Sequence, residues 1–189
     1  MKKILSLIIV ALMPLFVFSQ EHMDFRGVPL DGDLNSFIGK MKELGYTLNK
    51  LDGDVAIMKG KFTGEDVDLY ISATPKTKTV CKVNLYFSEK SSWNSLKSQY
   101  EEYKELFSKK YGENKKSYEF FSKPYYEGDG YELQAVRKEK CTYSTFYDTP
   151  RGYIAVQISK FECLLVGYED KINIELRSTE KDSKNLNEI

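Results

Sequence analysis

The sequence predicts an α+β fold in which an antiparallel sheet carries helices on one face. Two stretches have apolar residues at helical spacing, and much of the remaining chain alternates apolar and polar residues with the period of a strand. The order of a helix followed by strands occurs twice, which predicts a duplicated αβββ unit with pseudo-repeats at residues 27–88 and 89–169. We expect one domain over residues 20–178.

The first twenty residues are typical of a secretory signal peptide. Lys2 and Lys3 form a basic start, an apolar run covers residues 4–18, and the small residue Ser19 favours cleavage before Gln20. Residues 1–19 are therefore predicted to be removed, and the mature protein to be periplasmic or secreted. The apolar run is short for a membrane span, so no membrane anchor is expected after cleavage.

The first half begins with a helix predicted over residues 33–44, with Asp33 as its N-cap and Gly45 at its end. The apolar face of this helix consists of Leu34, Phe37, Ile38, Met41 and Leu44. Strands are predicted at residues 54–62, 66–73 and 79–87.

The second half begins with a longer helix, capped by Ser91 or Ser92 and ended by Gly112. Its apolar stripe consists of Trp93, Leu96, Tyr100, Tyr103, Phe107 and Tyr111. The elements predicted after it are a short run at 117–121, a loop at 122–130, and strands at 131–137, 141–147, 152–159 and 163–168. A final helix contains Ile172 and Leu176, and residues 179–189 are predicted to be a flexible tail.

Two similar turns support the duplication. Thr74-Pro75-Lys76 joins two predicted strands in the first half, and Thr149-Pro150-Arg151 joins two in the second. Proline suits the first central position of a tight turn, so the match also has a purely local explanation.

Composition argues against nucleic acid as a partner. Removing residues 1–19 takes away two lysines and no acids, which leaves 26 basic and 28 acidic residues and a formal charge of −2. Acids and bases are interleaved, whereas a protein that binds phosphates concentrates its basic residues. The chain has 14 Tyr and 11 Phe, a content that suits both strand packing and contact surfaces.

The sequence leaves undecided whether two of the three cysteines form a disulfide. Cys81 alternates with apolar neighbours and is predicted on the apolar face of a strand. Cys141 and Cys163 are the better candidates for a bridge, although a simple meander would place a whole strand between theirs.

Catalytic and metal-binding motifs are scarce, so no enzyme activity, metal or cofactor is predicted. His22 is the only histidine, which removes most nucleophilic and zinc chemistry. The Asp-Gly-Asp segments at 31–33 and 52–54 could offer oxygen ligands to calcium but are typical of turns. Glu127 and Asp129 could serve as an acid and base pair in glycoside hydrolysis if a fold placed them across a cleft.

Two places are candidate binding sites. The loop contains Tyr125, Tyr126, Glu127, Asp129 and Tyr131, a set in which aromatic rings could contact a sugar or a protein partner. The sheet face away from the helices carries Tyr70 and Tyr86 and could be a contact surface. The alternatives are that the tyrosines of the loop cover the sheet edge and that the sheet face is simply solvated.

Five segments resemble a family of exported, uncharacterised proteins of gut anaerobes. They are residues 27–32, 74–80, 110–112, 124–131 and 168–171, which read GVPLDG, TPKTKTV, KYG, PYYEGDGY and YEDK. The resemblance implies export and a similar architecture and supplies no activity. The doubled plan also resembles that of β-lactamase inhibitor proteins, which bind an enzyme across a concave, aromatic-rich sheet.

These observations favour a non-catalytic exported binding or interaction protein whose partner is a protein or a glycan. The alternative is a carboxylate-based carbohydrate-active enzyme or glycan-binding protein, which needs a pocket with two acids at working distance. A purely structural subunit would instead show a long unpaired edge strand or an apolar helix face.

Overall fold

The computed structural model describes residues 21–113 and 116–186, and the predicted signal peptide lies outside them. The helices are α1 (Leu34–Glu43), α2 (Trp93–Tyr111), α3 (Glu132–Arg137) and α4 (Lys171–Leu186). The strands are β1 (Asp24–Phe25), β2 (Val28–Pro29), β3 (Thr47–Asp52), β4 (Val55–Phe62), β5 (Glu65–Ala73), β6 (Val80–Phe87), β7 (Lys116–Phe121), β8 (Cys141–Thr149), β9 (Gly152–Ser159) and β10 (Cys163–Asp170). Within the described ranges, no helix combines the length and the apolar character that a membrane crossing needs.

Eight strands form one antiparallel sheet in the order β3-β4-β5-β6-β10-β9-β8-β7, and β1 and β2 form a separate two-stranded ribbon. The predicted fold class, an α+β fold with an antiparallel sheet, is therefore confirmed. Each half of the large sheet is a meander, and the halves meet where β6 pairs with β10. A helix precedes each meander, so the order is repeated with four strands rather than the three predicted.

The turn match that suggested the duplication is misleading. Thr74-Pro75-Lys76 lies between the third and fourth strands of the first meander, whereas Thr149-Pro150-Arg151 joins the second and third strands of the other. The two turns therefore occupy different positions in the repeated order, and their similarity follows from local turn chemistry.

Helices α1 and α2 begin and pack as the sequence predicts. The Asp33 carboxylate accepts hydrogen bonds from the Asn35 and Ser36 amides, and the Ser92 hydroxyl accepts one from the Ser95 amide. These caps satisfy amides that lack a partner in the first helical turn. The apolar faces of both helices are buried against one face of the sheet.

Three elements differ from the prediction. Residues 131–137 contain helix α3 rather than a strand, and the consecutive residues Ala135 and Val136 of this helix are both buried. Strand β3 was not predicted because almost all of it is exposed at the sheet edge. Helix α4 continues to Leu186, so the predicted tail is helical over residues 179–186, and Glu180 is buried.

All three cysteines are free. Strand β9 separates β8 from β10, so the strands that carry Cys141 and Cys163 are not neighbours. Cys81 is buried in β6, as predicted, and its thiol next to the register shift at Ser72–Ala73 donates to the Ser72 carbonyl oxygen over 3.3 Å. Arg177 of α4 donates to the same sulfur over 3.6 Å, and Cys81 is buried outside the hydrophobic core cluster.

Candidate functional site

The sheet face opposite α1 and α2 is the larger of the two candidate surfaces. Strand alternation and the register of the ladder place polar and aromatic side chains there, and we call this surface the open face. From β4 to β8 the residues on this face, with a few small or aliphatic ones among them, include Ile57, Lys59, Asp68, Tyr70, Lys82, Asn84, Tyr86, Leu165, Gly167, Glu169, Tyr153, Ala155, Gln157 and Phe146. Helix α4 borders the surface at one end, where Ile174 and Ser178 lie near Ser72.

The two tyrosines predicted on this face lie together. The ring centroids of Tyr70 and Tyr86 are 5.1 Å apart, and Phe161 adds a third ring 6.2 Å from Tyr86. We call these three side chains the aromatic triad. Phe161 lies in the turn between β9 and β10 with 60% of its surface exposed, although its ring contacts Tyr86.

A shallow depression of about 440 Å³ lies at the aromatic triad. Asp68, Glu89 and Cys163 also line it. Burial raises the pKa of the Tyr86 hydroxyl, as do nearby Cys163 and Tyr70, so this hydroxyl stays protonated at neutral pH. The site therefore offers ring faces, a neutral hydroxyl and two carboxylates.

The centre of the open face has a floor of small residues. Ala155 and Gly167 are opposite each other on β9 and β10, and a Cβ on Gly167 would lie 2.9 Å from the Asn84 Oδ1. Phe146 and Tyr153 line one side of a depression of about 120 Å³ at this point. The surface is therefore low at Ala155 and Gly167, with the rings of Phe146 and Tyr153 beside them.

Residues 122–131, which we call the tyrosine loop, are held by their acids. The Glu127 carboxylate accepts hydrogen bonds from Trp93 Nε1, Lys97 Nζ and the Tyr143 hydroxyl. The hydrogen bond from Lys97 is the main reason that the pKa of Glu127 lies below its usual value, although partial burial opposes it. Glu127 thus ties the loop to α2 and β8.

Asp129 closes the turn of the same loop. Its Oδ1 accepts from the Tyr131 amide over 2.7 Å and its Oδ2 from the Tyr126 amide over 3.1 Å. Glu127 and Asp129 therefore have separate partners, and the structure does not bring them together as an acid and base pair. Tyr126 and Tyr131 are exposed and, with the half-buried Tyr125, line a depression of about 330 Å³.

The other candidate ligands have structural contacts. His22 Nδ1 lies 3.1 Å from Asp170 Oδ2, where it ties the start of the described chain to the N-terminus of α4. Asp33 caps α1, and Asp54 pairs with Arg177. Over residues 21–113 and 116–186, no group of three His, Cys, Asp or Glu side chains is arranged to hold a metal ion.

Comparison of the chain with protein-family models, with curated proteins and with solved structures finds no match. The resemblances noted from the sequence stay predictions.

Proposed function

We propose that this protein is a non-catalytic exported binding protein that engages another protein through the open face. The observation that carries the proposal is the aromatic triad. Tyrosine and phenylalanine are enriched at the centres of protein interfaces, where large rings bury area at little cost in conformational entropy. Here two of the rings stand on neighbouring strands of an eight-stranded sheet, which holds them in place.

The shape of the open face favours a macromolecule over a small ligand. Small-molecule sites enclose most of their ligand in a concave pocket. The depressions on the open face are shallow, and aromatic, acidic and basic side chains alternate across it. Such a surface suits the polar and aromatic mixture of a protein partner.

Export is part of the proposal and rests on the basic and apolar pattern of residues 1–19. Met23 and Phe25 follow closely after the predicted cleavage site, and both are buried in the hydrophobic core. Cleavage before Gln20 would leave these contacts intact. The mature chain would therefore keep its described fold.

A glycan is the second candidate ligand, and the exposed pair Tyr126 and Tyr131 favours it. Their exposed fractions are 64% and 62%, and Asp129 lies in the same depression. Exposed aromatic rings on a loop can stack on sugar rings. The two candidates therefore use different surfaces, which makes them separable.

Site-specific photocrosslinking in the producing cell tests the proposal. A photoreactive phenylalanine analogue replaces Phe161 on the open face, Tyr131 on the tyrosine loop, or Leu106, which is exposed on α2. We expect a protein adduct of discrete mass at position 161 that excess unlabelled protein competes away, and none at position 106. Adducts from position 131 alone, or equal adducts from 106 and 161, would overturn the proposal.

A further inference from the structure

The aromatic triad surrounds its depression with ring surfaces that are not stacked on one another. The interplanar angle is 67° between Tyr70 and Tyr86 and 63° between Tyr86 and Phe161. An edge-to-face contact covers one face of one ring and leaves the other faces of the pair outside that contact, and the face of an aromatic ring carries negative electrostatic potential. The depression thus presents several electron-rich surfaces to one small volume.

Its charged groups have the same sign. Asp68 and Glu89 line the depression, and no described lysine or arginine does. Within the described parts of the chain Glu89 forms no ion pair. Lys59 reaches Asp68 at 3.6 Å, but both side chains are well exposed, and such pairs contribute little.

Lys160, next to Phe161 in sequence, also lies outside the lining. Lys160 Nζ is 5.9 Å from the Phe161 ring centroid and 3.6 Å from a carboxylate oxygen of Glu139. Cys163 at the depression adds no charge, because burial raises the pKa of its thiol to about 11. The lining therefore combines acids and ring faces and includes no described lysine or arginine, although Lys160 lies over the Phe161 ring from outside it.

From this geometry we infer that the depression binds one organic cation, the lysine or arginine side chain of the protein that docks on the open face. The inference rests on the proposed function and adds the chemistry of the contact. A cation over aromatic faces is attracted by their quadrupoles, and nearby carboxylates add to that attraction. The shallow form of the site suits the end of a long side chain that enters from a partner surface.

Nuclear magnetic resonance titration of the purified exported protein tests the inference. The probes are the N-acetyl methylamides of lysine and arginine, with the norleucine derivative as the neutral control of similar length. We expect the cationic probes to shift the amide signals of Tyr70, Tyr86 and Cys163 saturably, and the neutral probe to bind about two- to fivefold more weakly or not at all.

Three variants locate the binding. Phe161→Ala should weaken the cationic probes by about two- to fivefold, because it removes one ring from an exposed turn. Glu89→Gln should weaken them and reduce the salt dependence of binding. Leu106→Ala, an exposed apolar position on α2, should change nothing.

Equal binding of the norleucine probe, or unchanged affinity in Phe161→Ala, would overturn the cation site. Tighter binding of tetramethylammonium than of either amino-acid probe would overturn the assignment to a protein side chain. Photocrosslinks at position 161 without cation preference would refute the cation site alone and leave the proposed function standing. The absence of a protein adduct at position 161 would refute the proposed function itself.

Discussion

Gly60 has no side chain, and the space this leaves is occupied by the ring of Tyr46. Tyr46 is 2% exposed, and a Cβ built on Gly60 would lie 2.4 Å from its Cδ1 atom. The Tyr46 hydroxyl donates to the Lys61 carbonyl oxygen over 3.2 Å, and the Arg26 guanidinium lies 5.7 Å from the ring centroid. The ring is thus held from several sides and has little freedom to move away.

We therefore predict that Gly60→Ala destabilises the protein by about 1–3 kcal/mol, the usual cost of overpacking a buried site. Urea unfolding of both proteins would measure the change. Gly39→Ala is the matched control: Gly39 is in α1 with nothing within 4 Å of its missing Cβ, so alanine should stabilise the helix by about 1 kcal/mol. A Gly60→Ala midpoint at or above that of the parent would contradict the packing account.

At the scale of elements, prediction succeeds where local chemistry decides. Asp33 and Ser92 mark the starts of α1 and α2, and a run of spaced aromatic residues reveals the buried face of α2. Strand β3 carries no such pattern, because an exposed edge strand needs no apolar alternation. Helix α3 has only six residues, too few for period 2 to be told from period 3.6.

The site was predictable only in part, for a related reason. Tyr70 and Tyr86 are on neighbouring strands, so alternation alone puts them on one face. Phe161 reaches them because β10 pairs with β6 across the middle of the sheet, and that pairing is a property of strand order rather than of local sequence. A turn residue with an exposed ring carries no sign of that distant neighbour.

Helix α4 owes its position to a contact that local patterns do not reveal. The Glu180 carboxylate accepts hydrogen bonds from the Lys76 amide, the Thr77 amide and the Thr77 hydroxyl, at 2.6, 3.2 and 2.6 Å. Burial alone would raise the pKa of Glu180, but these hydrogen bonds outweigh it and lower the pKa. The charged form of Glu180 therefore stabilises the docked helix.

We predict that Glu180→Gln lowers the free energy of unfolding at pH 7 by about 1–3 kcal/mol, as for lost hydrogen bonds to a charged group. Because the pKa is lower in the folded state, this stabilisation is complete above the unfolded pKa and is lost as the pH falls through the folded value. Urea unfolding at pH 7 and at a series of acidic pH values should thus show the two proteins converging as the pH falls through the lowered pKa of Glu180.

Glu175→Gln controls for a simple change of charge on the same helix, because Glu175 is exposed. It should leave the unfolding midpoint unchanged at each of these pH values. An equal effect of the two substitutions, or a difference from the parent that persists in acid, would exclude the proposed role of Glu180.

At the scale of the whole molecule, the repeated order does not produce two independent halves. Helix α2, which begins the second half, packs Tyr103 against Phe87 of β6 at a ring-centroid distance of 4.8 Å. Gln99 of the same helix donates to Glu65 of β5 over 2.7 Å. Conversely, the N-terminal segment contacts the second half, because the Met23 amide donates to Asp170 at the end of β10 over 2.7 Å. Each half thus completes the packing of the other.

We therefore predict one cooperative unfolding transition, measured by native-state hydrogen exchange in increasing urea. The slowest amides of β5 and β9, one strand from the centre in each half, should exchange with the same free energy of opening, because only global unfolding exposes them.

Tyr103→Phe removes the hydroxyl that donates to Glu65 over 3.0 Å and should lower both free energies together by about 1 kcal/mol. Leu106→Ala on the exposed side of α2 should lower neither. A gap of more than about 1 kcal/mol between the two strands would mean that the halves open separately, and the contacts of Tyr103, Gln99 and Met23 would then bind two domains rather than build one.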